Sequence, residues 1–287
     1  MRTEQYRVYI EQYLKDWFAR FHDEPQKHLF EAMEYSLLAG GKRLRPIFAF
    51  DFCRMCGADW KNAAPFAAAI EMIHTYSLIH DDLPCMDNDD FRRGRPTNHK
   101  VYGEAIAVLA GDALLTDAFT VASTAQLPKN EDWPLAIGVL SECAGSLGMV
   151  GGQVLDIMSE ERLLSEQEVL DIQSRKTGGL INGACALGVI AGGGSEEQLE
   201  AACRFAGALG LAFQIRDDML DVIGTKEEMG KGVGTDAGKN TFVRLYGLEK
   251  CEELVQKYTS VAIEALSAFD DNTFMVELAR SLTDRRN

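Results

Sequence analysis

Every proline in this 287-residue chain lies at or before Pro134, so the whole stretch from Leu135 to Asn287 lacks the residue that most strongly breaks helices. Apolar residues recur at three- and four-residue spacings, while alternating Val/Ile/Thr runs are scarce. That pattern predicts an all-α fold with strands unlikely. Helices are expected over residues 4–21, 26–39, 42–56, 61–83, 101–126, 132–158, 165–191, 195–222 and, with breaks, 241–284. Gly40-Gly41, Pro84 and Gly192-Gly193-Gly194 supply stops, and Ser195 followed by Glu196 and Glu197 supplies a helix start. The loop from Gly224 to Asn240 is rich in Gly, Lys, Asp and Thr, which suits a mobile or ligand-handling segment. With no linker or composition shift, residues 1–287 read as one domain.

Hydrophobic residues make up 46% of the chain, enough for a large core, and the net charge is −15. An acidic surface repels nucleic acid and anionic lipid, so neither is an expected partner. The first residues are expected to carry no secretory signal, and no stretch reads as apolar and long enough to insert in a membrane. The best candidate, Ala63–Ile79, is interrupted by Glu71 and His74. Seven cysteines without scaffold spacing fit reduced thiols and a cytoplasmic protein. Cys53 and Cys56 form a lone CxxC in an apolar helical stretch and are expected in the core.

Against that acidic background two clusters stand out. Asp81 and Asp82 close an apolar helix just before Pro84, and Asp87, Asp89 and Asp90 follow. Carboxylates at a helix C-terminus oppose its dipole, so a purely structural sequence would favour Lys or Arg there. In the run Phe213-Gln-Ile-Arg-Asp-Asp-Met-Leu-Asp221, Asp217 and Asp221 share one helix face and repel. Two such clusters point to hard cations. Magnesium takes one or two carboxylates together with substrate phosphates and water, and it neutralises charge growing on a departing diphosphate. Basic residues lie in nearby glycine-containing turns: Lys42, Arg43 and Arg45 after Gly40-Gly41, then Arg92-Arg93-Gly94, Lys176-Thr177-Gly178, Lys231 and Lys239. Arginine forks and lysine point charges suit phosphate oxygens.

Taken together, GGKRLRP, DDLPCMD with RRG, GGQVLD, KTG, FQIRDDMLD and the GK–GTD–K loop resemble the trans-isoprenyl diphosphate synthases, in particular the bacterial-type farnesyl diphosphate synthases. The resemblance implies the isoprenoid synthase fold, an antiparallel helical bundle around a deep central pocket, assembled as a homodimer. It implies a magnesium-dependent prenyltransferase, with three ions per active site, that joins isopentenyl diphosphate to allylic diphosphates by ionisation, condensation and elimination. Asp81, Asp82 and Asp87 match the first metal motif, and Asp217, Asp218 and Asp221 the second. Lys42, Arg45, His74 and Arg93 match positions around isopentenyl diphosphate. Arg92, Lys176, Thr177, Gln214 and Lys231 match positions around the allylic substrate, with Thr177 and Gln214 stabilising the cation. Lys239 joins the substrate-binding set, although only Ala237 and Gly238 separate it from Asp236, a shorter spacing than the family pattern. His22, His28, His80 and His99 read as structural.

Product length is a matter of packing. Tyr76 lies five residues before Asp81, about 7.5 Å down a helix axis, where its ring forms a floor with Ser77 beside it. The resemblance links an aromatic residue at this position to a C15 product, farnesyl diphosphate. The C10 and C20 products of the same chemistry, and a non-catalytic partner subunit, are the alternatives.

Overall fold

The computed structural model describes residues 2–159, 162–227 and 241–285, with the side chains of 224–227 excepted. Its helices are α1 (Arg2–Phe18), α2 (Lys27–Leu37), α3 (Leu44–Met55), α4 (Ala64–Asp81), α5 (Asn98–Tyr102), α6 (Glu104–Ala122), α7 (Trp133–Ala144), α8 (Met149–Ile157), α9 (Glu166–Lys176), α10 (Gly178–Ala191), α11 (Glu196–Glu227), α12 (Phe242–Ala265) and α13 (Thr273–Thr283). The chain separates into two compact units, Met1–Ile137 with Ile190–Gly193, and Gly138–Val189 with Gly194–Asn287.

The first unit is organised around α4, which packs against α1, α2, α3 and α6. From Ala64 to Ile73 every residue of α4 is buried, as expected of a helix apolar on all sides. Pro65 fits the first turn, where its missing N–H is no loss. The helix ends at Asp81, and its last carbonyls are taken up by the coil that follows: Asp82 N–H donates to Leu78 O at 3.2 Å and Leu83 N–H to His80 O at 3.1 Å. Gly40 and Gly41, at φ +84° and +135°, make the break between α2 and α3 that the sequence predicts.

In the second unit α11 packs against α9, α12 and α13. Ile172, Ile215, Met219, Phe242, Cys251 and Val255 form its buried centre. Ser195 caps α11 as expected: its Oγ accepts from Gln198 N–H at 3.2 Å while Gln198 Oε1 accepts from Ser195 N–H at 3.0 Å. The glycines of the GGQVLD run serve packing. A Cβ on Gly152 would lie 2.3 Å from the Lys176 backbone nitrogen, so glycine is what lets α8 and α9 come together.

Several expectations are corrected. The helix expected over 132–158 breaks at Gly145–Gly148, and the one over 165–191 breaks at Thr177. Gly103, at φ +82°, divides the helix expected over 101–126. α11 runs to Glu227, past the expected loop start at Gly224. Strands do occur, in a hairpin too short to show a period: β1 (Phe91–Arg92) pairs antiparallel with β2 (Arg95–Pro96). Two helical stretches, Glu104–Ala122 and Asn130–Ile157, are long and apolar enough to cross a membrane by length and composition, contrary to the sequence reading. In the first, two aspartates are outweighed by Ala, Val and Leu. The core expectation holds for Cys53, which is buried, while Cys56 is only half-buried; burial pushes their thiols up to about 12 and about 11.

Gly152→Ala should destabilise the protein by about 1–3 kcal/mol, the usual cost of forcing atoms into a packed contact. A denaturant midpoint unchanged from the parent protein would show that α8 and α9 tolerate the extra carbon.

Candidate active site

In the first unit a turn, a helix and a hairpin build one basic cavity. Ala39, Gly41, Lys42, Arg43, Leu44, Arg45, Glu71, His74 and Arg93 line a space of about 390 Å³, within the range of ligand pockets. Four residues singled out in the sequence, Lys42, Arg45, His74 and Arg93, therefore meet at one place.

The hairpin explains how Arg93 arrives there. Arg93 and Gly94 form a two-residue loop with φ +53° and +73°, the type I′ geometry that suits strand twist. The Arg93 guanidinium bonds to Gly40 O and sits where a Cβ on Gly41 would come within 3.0 Å of it. Glycine at position 41 suits the positive φ, and a Cβ there would press on the Arg93 guanidinium.

The strut of this cavity was not legible in sequence. Arg43, at φ +51°, turns its side chain inward, where it is 1% exposed and pairs with Glu71, itself 3% exposed, at 2.7 Å. Its second fork nitrogen donates to Leu37 O at 2.7 Å, tying the cavity turn to the end of α2. The charge of Arg43 is thereby compensated within the protein, and Lys42, Arg45 and Arg93 are the other cations that line the cavity.

His74 is held well below the usual histidine range, first by burial and then by Arg45, Arg93, Arg43 and Arg92. Its imidazole is neutral near pH 7.

The first aspartate cluster follows directly on α4. Asp82 is buried and receives Arg92 Nε at 2.7 Å and an Arg92 fork nitrogen at 2.6 Å. Burial raises the Asp82 carboxyl above its ordinary value, and Arg92 opposes that rise. Asp87 is exposed, and its N–H donates to Asp81 O at 2.9 Å, curling the coil back over the helix end. One and a half turns earlier on α4, Tyr76 is buried while Ser77 is half-buried and donates to His74 O at 2.9 Å.

In the second unit the predicted residues form a chain of hydrogen bonds. Thr177 Oγ1 donates to Gln214 Oε1 at 3.3 Å, and Gln214 Nε2 donates to Asp218 Oδ1 at 3.0 Å. The other oxygen of Asp218 accepts from Phe242 N–H at 2.8 Å, at the N-terminus of α12. Burial raises the Asp218 carboxyl, opposed by these two donors and reinforced by Asp221 and Asp217. Lys176, the last residue of α9, pairs with Asp156 at 2.6 Å. Asp217 is bonded by Arg285, whose guanidinium also lies 4.5 Å from the Phe213 ring centroid. Asp221 is exposed on α11. Lys231, Lys239 and most of the expected ligand-handling loop fall outside the described residues.

Among the described residues no three His, Cys, Asp or Glu side chains converge to hold a metal ion unaided. The donors present are aspartate oxygens, the chemistry magnesium prefers when substrate phosphates complete its shell. Sequence reasoning placed Arg43 among the phosphate-facing cations, where the structure pairs it with Glu71; it missed Glu71 and Arg285, and gave Asp156 no role. A lysine at a helix end is the one signal that asked for a partner such as Asp156. His22, His28 and His99 have structural partners in Glu34, Glu31 and Thr97.

A family model described as polyprenyl synthetase matches residues 26–272. A geranylgeranyl pyrophosphate synthase 7, chloroplastic, from Arabidopsis thaliana is 48% identical over 271 residues, covering 92% of this chain and 78% of that protein. A solved FPP/GFPP synthase from Zymomonas mobilis is 35% identical with a TM-score of 0.83, covering 98% of this chain and 97% of its own. A geranyltransferase from Legionella pneumophila is 32% identical with a TM-score of 0.87, covering 99% and 96%. The all-α isoprenoid synthase fold expected from the sequence is the fold of these neighbours.

Two outcomes follow. Glu71→Gln leaves buried Arg43 with only the more distant Glu11, 3.7 Å from its Nε, as counter-charge and should cost about 3–5 kcal/mol in urea unfolding. An unchanged midpoint would show that the Arg43–Glu71 pair is dispensable. For His74, the folded value is depressed, so below about pH 6.5 the unfolded chain takes up a proton that the folded chain refuses. Stability contributed by neutral His74 is therefore complete above that pH and lost as pH falls. His74→Gln should flatten the fall in stability between about pH 7 and about pH 5 by up to about 1.4 kcal/mol per pH unit. A parallel pair of curves would contradict a neutral His74.

Proposed function

The chain belongs to the polyprenyl synthetase family and is a prenyltransferase, and from that premise we propose that it makes farnesyl diphosphate from isopentenyl diphosphate with dimethylallyl and then geranyl diphosphate. The observation that carries this reading is the single cavity that gathers Lys42, Arg45, His74 and Arg93. Its cations suit a diphosphate, and His74, neutral before a ligand arrives, places a hydrogen-bonding ring beside them. Asp81, Asp82 and Asp87, with Asp217, Asp218 and Asp221, are the proposed magnesium ligands. Magnesium, three ions in this reading, would neutralise the allylic diphosphate and its growing charge on departure.

The remaining chemistry falls to the protein. Arg92 and Lys176 bind diphosphate oxygens on the allylic side, each exchanging part of its present carboxylate pairing for substrate. Thr177 Oγ1 and Gln214 Oε1 present oxygen dipoles that stabilise the allylic cation. The double bond of isopentenyl diphosphate attacks that cation, and the departed diphosphate accepts the proton lost in the final step. Lys231 and Lys239, beyond Glu227, are proposed to contact substrate as well. A homodimer belongs to the same reading, supported by exposed Val101, Val108 and Leu109 on α5 and α6. Seven free thiols support a cytoplasmic location.

Chain length is the finer part of the proposal. Buried Tyr76, on the helix that leads to Asp81, supports a floor that stops growth at C15. A C20 product is the second reading, favoured by relatives such as the geranylgeranyl pyrophosphate synthase from Catharanthus roseus, 46% identical over 270 residues. Incubation with dimethylallyl and isopentenyl diphosphates should give a C15 product only with magnesium, and Tyr76→Ala should give longer ones. A C20 product from the native protein would reject the C15 assignment while keeping the chemistry.

A further inference from the structure

The floor is more than one residue. Tyr76 and His80 lie four apart on α4, hence on one face, and their rings meet edge to face with centroids 5.6 Å apart at 74°. His80 is itself gripped by the neighbouring helix. Its Nε2 lies 3.1 Å from Val108 O on α6, and because a carbonyl only accepts, Nε2 carries the hydrogen of that bond.

Position 111 makes the grip possible. A Cβ on Gly111 would fall 2.1 Å from His80 Nε2, 2.5 Å from Cδ2 and 2.8 Å from Cε1. Gly111 lies within regular α6, so no positive φ calls for glycine there. A glycine inside a helix costs about 1 kcal/mol relative to alanine. Space for the imidazole is the compensating reason. The ring of His80 occupies the notch, the notch fixes the ring, and the ring edge fixes Tyr76.

We propose that His80 and Gly111 are specificity-determining positioning residues, which hold the Tyr76 ring across the path of the growing chain so that product length is set by α4 and α6 together. This inference rests on the Tyr76 floor proposed above. His80 touches neither diphosphate nor metal in this role and acts through Tyr76.

The test measures product-length distributions from dimethylallyl and isopentenyl diphosphates for the native protein, His80→Ala, Tyr76→Ala and the double variant. Folding is checked by circular dichroism. His80→Ala should raise the ratio of longer to native-length product about threefold to tenfold, the range expected for loss of one edge-to-face ring pair. The rate of the first condensation, which does not reach the floor, should stay close to native. A role confined to stability would lower all products together without lengthening them. The double variant should match Tyr76→Ala alone, because a residue acting through Tyr76 has nothing left to position. His80→Gln keeps a donor for Val108 O but removes the ring, and should lengthen products even if the alanine variant folds poorly.

Lengthening by Tyr76→Ala with no change from His80→Gln or His80→Ala overturns the proposal and leaves the floor intact. Additive lengthening in the double variant also overturns it, since His80 would then act by itself. No change from Tyr76→Ala overturns the floor, and this inference with it.

Discussion

A helix buried on every side must still deliver charge at its end, and the first unit is organised by that constraint on α4. Its apolar length fixes it among α1, α2, α3 and α6, so Asp81 and Asp82 are set by core packing and not by a mobile loop. Binding groups on rigid elements hold their geometry without an ordering cost when the ligand arrives. The same helix carries Glu71, His74, Tyr76 and His80. One element therefore bears the counter-charge of the cavity turn, a cavity wall residue, the proposed floor and the residue that steadies it.

The second unit meets a related demand differently. Asp218 is almost entirely buried on α11, and burying a carboxylate is costly unless donors meet both oxygens. Gln214 from the same helix meets one, and the Phe242 N–H at the start of α12 meets the other. The N-terminal end of α12 adds a favourable dipole. The Gln214 amide is oriented from both ends, by Asp218 on its nitrogen side and by Thr177 on its oxygen side. The oxygen proposed to steady a cation is thus aimed by a carboxylate one helical turn away.

The fold class was legible because helical periodicity and the proline-free second half leave little room for sheet. What the sequence could not show were features too short or too distant for a pattern. The β1–β2 hairpin has two residues in each strand, below any detectable alternation, although Arg93-Gly94 is compatible with its turn. The aspartate motifs and the four residues of the cavity were visible as residues. Their supports were not, because Arg43 meets Glu71 from 28 residues away and Asp217 meets Arg285 from 68. Gly111 is one more small residue in an alanine-rich helix by sequence, and only the His80 ring beside it sets it apart.

The chain's acidity gives the cavity its particular electrostatic character. A net charge of −15 would repel a diphosphate at long range, so attraction must be local and ion-mediated. Within the cavity, Glu71 cancels Arg43, which lets Arg43 brace the turn without competing for ligand. Lys42, Arg45 and Arg93 line the same cavity, and Arg45 and Arg93, with Arg43 and Arg92, help keep His74 neutral. A diphosphate entering among them would reverse the field at the imidazole and favour its protonation. His74 is therefore placed to gain a proton as ligand binds, so binding should strengthen as pH falls toward the ordinary histidine range even while folding stability weakens. These opposite slopes arise from one buried ring, and they separate its part in holding ligand from its part in holding the fold.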